Sequence, residues 1–180
     1  MRFLQAACAR IDALNEWIGR ALAWLTLLLV LLVFALVGAR YAFSLGSIAA
    51  QEAALWLHSM VFLLGAAFTL KRDAHVRVDL LYQRLDARGR ARADLLGTLL
   101  LLLPFSAFLF WVSLDYVAMA WSVREASREP GGLPGVFLLK TLMPVAAALL
   151  GLQGVAQAVA AWQRLRAGGD APAPTHGVGP

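Results

Sequence analysis

Between positions 51 and 79 the chain gathers side chains able to do chemistry: Gln51, Glu52, His58, Ser59, Lys71, Arg72, Asp73, His75, Arg77 and Asp79. A histidine beside a carboxylate is the least apparatus for proton transfer, and paired histidines in apolar helices are what a membrane haem needs. The spacing supports neither. His58, His75 and His176 form no HxxxH or HExxH pattern, and only His58 falls inside an uncharged run. No carboxylate shares that run with it, so ion or proton carriage is disfavoured. Cys8 is the sole cysteine, which excludes an intramolecular disulfide and any CxxC motif. EF-hand, GxxxxGK and GxGxxG patterns are missing too. The expectation is a protein that is not an enzyme, with no catalytic, cofactor-binding or metal residues and no cofactor.

The elements that carry these residues are membrane elements. Hydrophobic residues make up 61% of the chain and charged ones 15%, with mean hydropathy +0.69. A soluble domain of this size needs more polar surface. A sequence pI near 10.1 and net charge +5 could suggest a nucleic-acid binder. The basic residues, however, flank apolar runs and do not form a patch with interleaved aromatics, so no nucleic-acid partner is expected.

Four uncharged runs, at about 21–39, 53–70, 95–114 and 141–163, are long enough to cross a hydrocarbon core of about 30 Å as helices. Helices satisfy their own backbone in lipid, which open strands cannot. The fold class expected is therefore an all-α integral membrane protein, residues 1–166 forming one four-span domain. The first run is read as a retained span, since it starts late and lacks a small-residue cleavage site before Arg40. Lys and Arg crowd the N-terminal segment, the loop between spans two and three, and the end of span four. The bias places both termini in the cytoplasm of a bacterial inner-membrane protein.

Around the spans lie surface elements. Residues 2–18 and 76–88 carry apolar residues at helical spacing among charges, predicting two interfacial helices. Gly89 is expected to break the second. Residues 122–129 read as a helical extension of span three, followed by a turn-rich loop, and residues 167–180 as a flexible cytoplasmic tail. Arg40 with Tyr41 suits an interfacial anchor; its alternative is a pair with Glu52 across the short loop. Pro104 is expected to kink span three or to pack it at that point. In span four Ala147, Gly151, Gly154 and Ala158 make a small-residue stripe for helix packing.

Span two is the informative helix. At 100° per residue, Gln51, Glu52, Leu55, His58, Ser59, Phe62, Gly65, Ala66 and Thr69 share one arc of about 140°, and bulky residues occupy the other side. Two readings stay open for this arc: packing within the chain, or contact with a second protein.

The residues carry a family resemblance over about 21–163. Arg40-Tyr41 ends span one, Gln51-Glu52 opens span two, Gly65-Ala66-Ala67 lies within it, and His75-Val76-Arg77-Val78-Asp79 follows, with Pro144 early in span four. In these features the chain resembles the small membrane (DctQ-like) subunit of tripartite ATP-independent periplasmic (TRAP) transporters. The resemblance implies a scaffold for a large membrane subunit, in sodium-driven, binding-protein-dependent uptake of an organic acid or related small solute. The implied partners are that large subunit, a periplasmic solute-binding protein and the lipid bilayer. Arg40, Glu52, His58, Ser59, Gly65, Ala66, His75, Arg77 and Asp79 are the expected contact residues. The stretch 132–153 departs from the dicarboxylate-type pattern and is more similar to branches taking mannitol, chloroaromatic or oxo-acid substrates. The alternatives are a four-helix electron-transfer subunit, which a haem absorption band would reveal, and a generic membrane assembly factor.

Overall fold

A computed structural model of the chain describes residues 2–72 and 85–167. Among them the structure is all-helical: α1 (Arg2–Phe43), α2 (Ile48–Lys71), α3 (Ala87–Gly97), a π-helical segment (Thr98–Leu102), α4 (Leu103–Ser122) and α5 (Val136–Arg166). α3, the π segment and α4 run on as one rod. Four helices are thus long and apolar enough to cross a membrane. Both described ends lie on one side of the spans, here called the terminal side; the α1–α2 turn and the α4–α5 loop lie on the loop side.

α1 differs from the sequence expectation. Where an interfacial helix and a separate span are expected, one helix of 42 residues runs unbroken. No proline or helix-breaking pair stands near residue 20, so nothing interrupts the backbone ladder. At about 1.5 Å per residue it is about 63 Å long, twice the hydrocarbon core. α2 starts where Ser47 Oγ accepts the Ala50 N–H at 3.3 Å, an N-cap within the short turn.

The expected interfacial helix at 76–88 falls largely outside the described residues. Its described end corrects the role of Gly89. This glycine lies in the first turn of α3, where its N–H donates to the Asp86 carboxylate at 2.7 Å. It helps to start a helix and does not end one. The expected helical extension over 122–129 is also corrected: α4 stops at Ser122, and Arg124 takes φ 46°.

Pro104 explains the π segment before it. Its ring collides with the carbonyl four residues back, and it lacks an N–H to continue the ladder. Widening the helix over Thr98–Leu102, with the Leu103 N–H donating to the Thr98 carbonyl, absorbs the misfit without ending the span.

The helices pack in the order α1, α2, α5, α4, with α1 and α3 also against α5. α5 stands between neighbours on two sides, and its buried residues are nearly all small: Ala146, Ala147, Gly154, Ala156, Ala158 and Ala161, besides Pro144 and Gln153. Small side chains let backbones approach closely where lipid supplies no hydrophobic drive between helices. A Cβ on Gly154 would stand 3.0 Å from Leu102 and 3.1 Å from Leu103. Gly19 is tighter still, because a Cβ there would meet the Phe68 ring at 2.3 Å. The expected stripe on span four is thus the seam of the row, while Phe34, Trp24, Phe108 and Trp111 stand exposed.

Candidate functional site

Polar side chains concentrate at the two ends of this row. On the terminal side the cluster is built from three helices. Glu16 of α1 accepts from Lys71 Nζ at 2.8 Å and from Arg72 at 2.5 Å, both at the end of α2. Lys71 also donates to the Asp12 carbonyl at 2.9 Å. Asn15, only 1% exposed, donates to Gln153 Oε1 of α5 at 2.6 Å, and Gln153 donates to Asp12 at 3.0 Å. Asn15 Oδ1 and Gln157 Oε1 are buried with no hydrogen-bond partner among the described residues. Asp12, Asn15 and Glu16, within about one turn of α1, thus bind α1 to both α2 and α5.

The loop-side cluster centres on Glu52. Its carboxylate accepts from Ser127 Oγ and, at 2.6 Å, from the Leu133 N–H. One α2 side chain therefore holds the α4–α5 loop down. Lys140 reaches Glu125 at 2.5 Å and lies 4.0 Å over the Tyr116 ring, while Trp121 Nε1 donates to Thr141 at 2.9 Å. These contacts join α4, the loop and α5.

The expected contact residues scatter on this frame. Glu52 faces the loop of its own chain and not Arg40, so the pair across the turn does not form. Gly65 packs toward α1, with a Cβ there 3.7 Å from Leu22, and Ala66 is half-buried. Ser59 returns its hydroxyl to the Leu55 carbonyl at 2.8 Å. His58 is exposed, with its ring stacked beside Phe62 at 6.4 Å. Arg40 is exposed as well. His75, Arg77 and Asp79 lie outside the described residues. The arc of span two therefore divides: Glu52 and Gly65 serve the chain's own packing, while Gln51, Leu55, His58 and Phe62 stay uncovered along one line.

Asp12, Asn15 and Glu16 were not expected to hold anything. Read locally, they are the polar side of a surface helix; their hydrogen-bond partners lie 55 residues or more away. The signal available in advance was a pair of glutamines, Gln153 and Gln157, inside an apolar run, since polar groups in such runs seek partners.

Among the described residues no three His, Cys, Asp or Glu side chains gather in a group that could hold a metal ion. No curated protein and no solved structure matches the chain. The sequence model of one family does, over residues 10–164: tripartite ATP-independent periplasmic transporters, DctQ component. The match takes in all or most of each helix described above and both polar clusters. Four apolar helices and this match make the chain a multi-pass membrane protein, and it belongs to the DctQ family, the small permease component of TRAP transporters.

Proposed function

We propose that the chain is the immobile scaffold of its transporter, packing against the large membrane subunit, through which the solute passes. One observation carries this reading. The four helices form a row whose seams are lined mostly by alanine, glycine and serine, and Glu16 and Glu52 at its two ends are bound by the chain's own donors. A carrier needs midplane carboxylates, broken helices around a site, or inverted repeats. A row tied at both ends suits a part that stays still while another moves.

In this reading the terminal side faces the cytoplasm of a bacterial inner membrane, as the excess of Lys and Arg there favours. A periplasmic solute-binding protein delivers the solute on the loop side. Sodium drives uptake of an organic acid or related small solute, and the sites for both lie in the large subunit. His75, Arg77 and Asp79 hold the cytoplasmic connection between α2 and α3 against that subunit. The test is reconstitution in cells. Cells expressing this chain alone take up none of the transporter's solute, and the complete set of components does. Uptake by the chain alone would overturn the scaffold reading.

A further inference from the structure

Between the loop-side halves of α1 and α2 runs a groove of about 620 Å³. Its walls are apolar, with Val33 and Leu36 on α1 and Leu55 on α2. Arg40 and Gln51 stand at its loop-side end and His58 stands further in. Along α1 it extends from Leu29 to Arg40, about 16 Å at about 1.5 Å per residue. No acidic residue lines it, because Glu52, next to Gln51 in the chain, is turned to Ser127 and Leu133. Arg40 makes no ion pair and His58 no hydrogen bond among the described residues.

We propose that this groove receives an apolar segment of the large membrane subunit that presents a carboxylate to Arg40 and a hydrogen-bond acceptor or donor to His58. The inference rests on the scaffold reading and names its contact surface. Charge selects the occupant's outer end: one guanidinium without a carboxylate in the lining calls for an anion. Depth selects between a protein and a lipid. His58 lies seven residues beyond Gln51 along α2, about 10 Å deeper in the membrane. A phospholipid can offer its phosphate to Arg40, but at the depth of His58 it presents only acyl chain. A protein segment can supply a polar partner there, and an imidazole left facing hydrocarbon is costly. Gln51, Leu55, His58 and Phe62, the uncovered line of α2, form the lip over which such a segment lies.

The experiment is recovery of the large subunit with an affinity-tagged version of this chain from detergent-solubilised membranes, with bound phospholipid quantified in the same eluates. Arg40→Glu is expected to lower recovery at least about tenfold, and Arg40→Lys to retain most of it. His58→Phe, which keeps the volume and removes the polar atoms, is expected to lower it several-fold. Leu55→Trp fills the groove from an exposed position and is expected to act like Arg40→Glu, which keeps the test decisive should the charge reversal disturb insertion. Phe34→Ala, on a lipid-facing part of α1 outside the groove lining, is expected to change nothing. A carboxylate of the large subunit whose change to arginine restores recovery with Arg40→Glu would identify the matching residue. Undiminished recovery with both Arg40→Glu and Leu55→Trp would overturn the groove as the contact while leaving the scaffold reading intact. Loss of bound phosphatidylglycerol with undiminished large subunit would make the occupant a lipid and overturn it equally. No recovery with the unaltered chain would instead overturn the scaffold reading itself.

Discussion

Lys71 Nζ lies 2.8 Å from Glu16 Oε2, fastening the last residue of α2 to a point in α1 55 residues earlier. Arg72 shares the same carboxylate, and Arg20 comes within 3.7 Å of it. One acid thus faces three bases where two helices leave the apolar region. At the opposite end Glu52 does the matching work for the α4–α5 loop. Between these ends the seams contain little but small residues, so the polar ties account for much of the row's definition.

Removing the Glu16 charge leaves its bases without an acid. Glu16→Gln is expected to lower the stability of the purified protein by about 1–3 kcal/mol, read as a lower thermal unfolding midpoint in detergent. A double-mutant cycle with Lys71→Gln should show coupling, because the side chains touch. Equal and additive losses would mean that the contact contributes nothing.

Gly19 is expected to tolerate no side chain. Gly19→Ala drives a Cβ into the Phe68 ring and should cost about 1–3 kcal/mol, chiefly by spreading α1 from α2. Adding Phe68→Ala should return part of the loss. Failure of that rescue would place the strain elsewhere.

The Asn15–Gln153 pair predicts a non-additive series. Asn15→Leu strips Gln153 of a donor and Gln153→Leu strips both Asn15 and Asp12, each costing about 1–3 kcal/mol. The double change removes the pair together with the unpartnered Asn15 oxygen, and is expected to cost less than the worse single change. Thermal unfolding of the three variants decides it.

Much of this fold was legible in advance, for reasons particular residues make plain. Long uncharged runs announce spans whatever their neighbours, and the small residues of α5 announce a seam because lipid gives helices no other way to adhere. Contacts of long range were not legible. Asn15 and Gln153 are 138 residues apart, and nothing near Asn15 distinguishes a tie from a solvated face. Glu52 stands out in the sequence, yet the nearest base in the chain, Arg40, suggests a partner that the loop at Ser127 and Leu133 pre-empts. Gly89 shows the limit of composition: glycine ends helices often, but with Asp86 three residues before it the same residue stands at a start. Of the arc on span two, the division between an inner and an uncovered part required knowing where α1 and the loop lie.

Loop anchoring by Glu52 predicts a local effect. Glu52→Gln should leave the spans intact by circular dichroism and raise the rate of proteolytic cutting within residues 123–135 several-fold, because the loop loses its charged acceptor. An unchanged cutting rate would show that the helices alone hold the loop.

The scaffold account stands or falls most directly on transport by purified components. Proteoliposomes containing the large subunit, this chain and the binding protein are expected to accumulate solute under a sodium gradient. Liposomes with this chain and the binding protein alone are expected to show none. Accumulation without the large subunit would contradict the account, since the pathway would then have to lie within these four helices.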